Sequence, residues 1–135
     1  MPAECSVVKG IGAEWAEDVR RLLSHSYWAY DRSLETVERS MRGSVCYGAM
    51  CGKNLVGFAR IVTDGATTAY LCDVIVDEEY RGRGIGKQLV STVVDDPEYS
   101  EMLSLLLTRN AHSFYAQFGF VPDEKGAMRR SRKKR

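Results

Sequence analysis

Six consecutive residues, Arg81-Gly82-Arg83-Gly84-Ile85-Gly86, restrict this chain more than any other feature. They follow a stretch, residues 67–76, rich in β-branched and aromatic side chains, which reads as a strand. They open a stretch in which Ile85, Leu89 and Val93 recur at spacing four, with Val90 and Val94 alongside, which reads as a helix stopped by Pro97. A glycine-rich turn from strand to helix is an anion-binding arrangement. The amides at the helix start carry partial positive charge, and glycine lets a phosphate approach the backbone. Arg81, Arg83 and Lys87 add charge there, with no acid among them. Two common phosphate loops do not fit. A Walker loop needs Ser or Thr after its Gly-Lys, but Gln88 follows Gly86-Lys87, and Arg81 stands where its first glycine belongs. The dinucleotide pattern G-x-G-x-x-G breaks at Lys87.

The surrounding pattern predicts a mixed sheet. Residues 4–9 form a short candidate strand. Trp15, Val19, Leu22 and Leu23 place a helical stripe on residues 14–27. Ser33 caps a second short helix carrying Thr36, Val37 and Met41, which Gly43 closes. Residues 44–50, 55–62 and 67–76 are strands joined by turns at Gly52-Lys53-Asn54 and Asp64-Gly65, an antiparallel meander. The nearly all-apolar run 102–107 is expected as a strand buried on both faces. Residues 110–118 are expected as a helix stopped by Gly119, with Phe120-Val121 as a last strand before Pro122. The fold class is therefore α/β (α+β). One domain, residues 1–128, holds a meander followed by strand, helix, strand, helix and strand, with helices on both sheet faces. A length of 135 residues suits a single domain.

Charge and cysteines exclude other classes. The net charge of +1 conceals a basic run at 129–135, which holds six of the 19 basic residues and no acid. The rest has 13 basic residues against 18 acidic, a charge of −5. The run is expected to be a frayed, disordered terminus. Nucleic-acid binding through it is the alternative, and nothing else in the chain supports that reading. The run 102–107 is too short to span a bilayer, and the first residues lack a secretory pattern. No membrane association is expected, and the location is expected to be cytoplasmic. Cys5, Cys46, Cys51 and Cys72 share no C-x-x-C spacing, and only His25 and His112 could join them. No metal is expected, and all four cysteines are read as reduced.

Residues 81–86 resemble the [Q/R]-x-x-G-x-[G/A] pyrophosphate loop of the GCN5-related N-acetyltransferase (GNAT) superfamily. The resemblance extends to Val74-Ile75-Val76-Asp77-Glu78-Glu79-Tyr80 before the loop. It also takes in residues 111–120, AHSFYAQFGF, which are similar to that family's A-x-x-x-Y-x-x-x-G-F segment. It covers roughly residues 6–122.

This resemblance implies an enzyme that passes an acetyl group from acetyl-CoA directly to a primary amine, on a small molecule or a protein. It implies that Arg81, Gly82, Arg83, Gly84, Ile85, Gly86 and Lys87 hold the phosphates and that Val74, Ile75 and Val76 pair with the pantetheine arm. It places Tyr115 as the acid that protonates the departing thiolate. Asp73 is the only carboxylate in the preceding strand, and it serves either as base or amine anchor or as a structural acceptor. Tyr70 and Cys72 are further candidates, on the opposite strand face from Asp73 unless a bulge intervenes. Tyr27, Trp28 and Tyr30 suit an amine pocket through cation–π contact, or else plug the sheet edge. Two departures stand out. The family's asparagine seven residues before the tyrosine is Thr108 here, so Asn110 either replaces it as a cofactor-binding residue or caps the helix. The last strand is nearly missing, which leaves the acceptor pocket open on that side or completed by a second subunit in a homodimer. A non-catalytic acyl-CoA-binding module is the alternative function.

Overall fold

The computed structural model describes residues 1–132, so the end of the basic run, 133–135, lies outside the described residues. Four strands pair antiparallel in chain order: β1 (Cys5–Lys9), β2 (Val45–Cys51), β3 (Asn54–Thr63) and β4 (Thr68–Val76). β5 (Leu103–Leu106) adds to β4 in parallel. The parallel step needs a crossover, and α3 (Ile85–Val94) supplies it.

The helices take opposite sheet faces because their apolar stripes do. α1 (Ala16–Leu23) buries Ala16, Val19, Leu22 and Leu23. α2 (Leu34–Arg42) starts where the Ser33 hydroxyl accepts from the Thr36 amide, and it buries Val37 and Met41. Both stripes pack on Leu55, Phe58 and Ile75. On the other face, Leu89, Val90 and Val93 of α3 pack on Tyr47, Ala59, Ile61, Ala69 and Leu71. Each fully buried aliphatic side chain contributes roughly 1.5–3 kcal/mol. The short α4 (His112–Ala116) lays Phe114 and Tyr115 at the margin of this second cluster, beside Phe118 and Phe120.

A bulge in β4 decides what faces the site. Phe58 pairs with Ile75 and Arg60 with Cys72, so the single residue Ala59 faces two, Asp73 and Val74. Asp73 takes up the extra length with φ +56°, the only non-glycine residue with positive φ among the described residues. Side-chain alternation flips there. Leu71 packs on the α3 face and Ile75 on the α1–α2 face, although they are four residues apart. Tyr70, Cys72 and Asp73 therefore share one side, which corrects the period-two expectation of opposite faces.

Other expectations are corrected as well. β5 is not buried on both faces. Among the described residues it pairs only with β4, and Leu103, Leu105 and Leu107 are 63%, 45% and 62% exposed. Phe120-Val121 forms no strand, so the sheet has five strands among the described residues. The first helix is shorter than predicted, beginning as a 3-10 turn at Ala13–Trp15 and ending at Leu23. Asn110 does not cap α4, because Ala111 is the cap residue and the Thr108 hydroxyl accepts the Ala111 amide. Cys5 and Cys51, opposite each other on β1 and β2, form a disulfide, while Cys46 and Cys72 stay free. Spacing along the chain could not show that antiparallel pairing brings Cys5 and Cys51 together. The cytoplasmic expectation loses the support it drew from four reduced cysteines.

Candidate active site

Two adjoining grooves open beside the C-terminal half of β4, and each is built from different parts of the chain. The first, of about 540 Å³, runs along Val74, Ile75 and Val76 to the glycine-rich loop and the start of α3. Gly82 and Gly84 sit at φ +80° and +81°, a left-handed conformation that side chains disfavour. Gly84 is the N-cap of α3, so the amides of Ile85, Gly86 and Lys87 lack intrahelical acceptors. Arg81 Nε donates to the Val76 carbonyl at 3.4 Å, bracing the loop against the strand. Arg83 turns back. Its Nη2 donates to the Glu79 carbonyl at 3.3 Å, and its guanidinium covers the Tyr80 ring at 4.9 Å. Arg81, Gly82, Gly84, Ile85, Gly86, Lys87 and Asn110 line this groove, and Arg83 does not.

The second groove, of about 1070 Å³, opens where pairing of β4 with β5 stops at Leu71 and Leu106. Tyr70, Cys72 and Asp73 reach it from the bulged strand, and Trp28 reaches it from the segment after α1. The two grooves share Tyr27, Trp28, Val74, Asn110, Ala111 and Tyr115 as a common wall. Tyr30 is 64% exposed and lines neither.

Asp73 is the electrostatic centre of the second groove. Its side chain is 2% exposed, and its carboxylate accepts from Trp28 Nε1 at 3.0 Å, Arg32 Nη1 at 2.6 Å and Arg60 Nε at 2.9 Å. Burial pushes the carboxyl pKa up, but the hydrogen bonds and charges of the two guanidinium groups outweigh it and hold the pKa below the usual carboxylate value. Burial pushes the Cys72 thiol up to about 11, and the protonated thiol donates to the Arg60 carbonyl at 3.5 Å. Burial thus favours its thiol form at neutral pH. Burial, with a smaller contribution from Tyr27, pushes the Tyr115 hydroxyl up to about 12. Tyr115 lines both grooves, so its hydroxyl lies at the wall they share.

Sequence reading missed the basic side chains of the second groove. Arg32, Arg60 and Arg109 all line it. Arg109 lies over the Tyr27 ring at 3.7 Å, so the chain's own guanidinium takes the aromatic face expected to greet an amine. Arg129, Arg130, Ser131 and Arg132 also line this groove, so the basic run is not isolated from the other motifs. The faint signal for Arg60 was a charged residue inside an otherwise largely apolar strand. No group of three His, Cys, Asp or Glu side chains among the described residues could hold a metal ion, and no helix there is long and apolar enough to cross a membrane.

A sheet that splays after a parallel pairing, beside a glycine-rich helix start, can be compared with known proteins. The acetyltransferase (GNAT) domain family matches residues 42–122. The chain belongs to the GNAT family. A solved structure assigned to the GNAT family, from Xanthomonas campestris pv. campestris, superposes with a TM-score of 0.85 at 35% identity, covering 97% of this chain and 94% of that one. The chain is 30% identical over 110 residues to ycf52 of Gracilaria tenuistipitata var. liui, named an uncharacterized N-acetyltransferase, which covers 80% of this chain and 57% of that protein. It is 38% identical over 76 residues to the chloroplastic GCN5-related N-acetyltransferase 2 of Arabidopsis thaliana, covering 55% of this chain and 30% of that protein. This GNAT chain thus spans less than two thirds of the length of these two relatives.

Proposed function

We propose that this GNAT-family chain transfers an acetyl group from acetyl-CoA directly to a primary amine. The observation that carries the reading is the shared wall. A groove ending at a cationic glycine loop and a second, wider groove meet at Tyr115 and the bulged end of β4. The first groove fits acetyl-CoA: unpaired helix-start amides with Arg81 and Lys87 suit phosphates, and the β4 edge suits an amide-bearing arm. When bound, acetyl-CoA supplies an activated acyl group on a thiol leaving group. The Val74 to Val76 backbone orients it and offers amides to the thioester oxygen.

The other roles fall to side chains. Tyr115, whose hydroxyl burial pushes up to about 12, stays protonated across the physiological range, and as part of the wall both grooves share it would present its O–H to the leaving sulfur. It stabilises negative charge there by hydrogen bonding and passes its proton on as the amine's proton replaces it. Asp73 anchors Arg32, Arg60 and Trp28. A carboxylate held below its usual pKa is a poor acceptor for an ammonium proton near pKa 10.4, so we assign it positioning rather than base duty. The positive field of the arginines disfavours the ammonium form of the acceptor and assists its deprotonation by solvent.

The test follows thiol release from acetyl-CoA with and without a panel of neutral, anionic and polycationic amines. Amine-dependent release with formation of an N-acetyl product is expected. Saturable CoA binding with no release on any amine would leave only an acyl-CoA-binding module.

A further inference from the structure

The second groove carries far more positive charge than acetyl transfer requires. Six arginines line it: Arg32, Arg60, Arg109, Arg129, Arg130 and Arg132. Asp73 is the only carboxylate on its wall among the described residues, and Arg32 and Arg60 already engage it. The side chains of these two are 17% and 13% exposed, so they are built into the wall rather than waving in solvent. Arg60 also donates from Nη1 to the Ser44 hydroxyl at 2.8 Å. The Nη2 of Arg60 and the Nε and Nη2 of Arg32 have no protein acceptor among the described residues. Arg109 is held flat over Tyr27 and makes no ion pair among the described residues.

We propose that the acceptor is a small amine that also carries an anionic group, a carboxylate or a phosphate, and that these arginines select it. The proposal rests on the acetyl-transfer reading for its assignment of this groove to the acceptor. Guanidinium groups present paired donors that match the planar carboxylate or a phosphate face. A polycation entering the same groove meets like charge on most sides, with no free carboxylate to greet it. The groove volume of about 1070 Å³ suits a small molecule. In the reaction the N–C(acetyl) bond forms and the C–S bond breaks. Of the two protons the ammonium loses, one goes to solvent before attack and one ends on the sulfur through Tyr115.

The experiment compares matched pairs: β-alanine with β-alaninamide, O-phosphoethanolamine with ethanolamine, and spermidine alone. Acetyl transfer is read as kcat/KM, and equilibrium binding of the same probes is read by calorimetry on the CoA complex. One or two charge-assisted hydrogen bonds set the expected preference for an anionic member at about tenfold or more. Which pair shows it separates carboxylate from phosphate recognition. The preference should narrow in high salt and in Arg109→Gln. Equal or better use or binding of the neutral members or of spermidine overturns the proposal, as does the absence of binding by every probe. Selective binding of an anionic member without acetyl transfer upholds the charge selection and sinks the acetyl-transfer reading instead.

Discussion

The two grooves, which we assign to donor and acceptor, differ in how the chain builds them. The donor side comes mostly from one continuous stretch, Val74 through Lys87, a strand end, a glycine loop and a helix start. The acceptor side gathers Trp28, Arg32, Arg60, Asp73 and Arg109 from four separate segments. The first needs backbone geometry, which glycine spacing encodes locally. The second needs side chains brought together by a bulge and two guanidinium contacts, and those exist only after folding.

The largest effect should come from the residue both grooves share. Tyr115→Phe keeps the ring against Phe114 and Phe120 but removes the donor. General-acid roles supply about 10²–10⁴-fold in rate, so kcat should fall by that much while CoA affinity stays close to wild type. Stopped assays of thiol release and calorimetric CoA binding check the two halves.

Breaking the acceptor side alone comes next. Asp73→Asn keeps a side chain that tolerates the left-handed backbone but leaves Arg32 and Arg60 without their counter-charge. Removing one partner of a buried ion pair costs about 3–5 kcal/mol, which denaturant unfolding would measure. The pH dependence has a definite sign. A carboxyl with a depressed folded pKa contributes stability that is present above its unfolded value, about 3.9, and is lost as pH falls through the lower folded value. Wild type should lose that contribution on acidification below about pH 4, and Asp73→Asn should lack that step.

Breaking the donor side should cost less. Arg81→Glu combined with Lys87→Glu should weaken CoA binding at least about tenfold, from lost charge-assisted contacts. Arg83→Ala should do much less, because Arg83 is committed to Glu79 and Tyr80. Equal losses in the two variants would show that the loop is read wrongly.

The smallest effect is expected from deleting residues 129–135. Arg129, Arg130 and Arg132 line the acceptor groove but are exposed, so the deletion should raise KM for an anionic acceptor only a few-fold. CoA binding should not change. Steady-state kinetics on the truncated chain would check both.

Much of the frame was legible before folding, because its signals are local. Ser33 and Gly43 bracket α2 as a cap and a stop should. The apolar stripe of Ile85, Leu89 and Val93 became the buried face of α3. The failures came from pairing partners. The run 102–107 is apolar enough for a central strand, but β5 is an edge strand among the described residues and little packs over its faces, so Leu103 and Leu105 stay exposed. Period-two counting placed Asp73 opposite Cys72, and one extra residue reversed it. Cys5 and Cys51 are 46 residues apart and meet only through the β1–β2 register. Arg60 and Arg109 carry no motif, and only the folded groove shows their common side.

The most direct measurement of the central claim, that both grooves serve one acetyl transfer at Tyr115, uses two acyl donors whose leaving thiols differ in pKa. kcat is measured for wild type and Tyr115→Phe with each donor. A more acidic thiol leaves with less help, so the loss in Tyr115→Phe should be large with acetyl-CoA and distinctly smaller with the acidic donor. Equal rates in the two proteins, or a loss that does not depend on the leaving group, would contradict it.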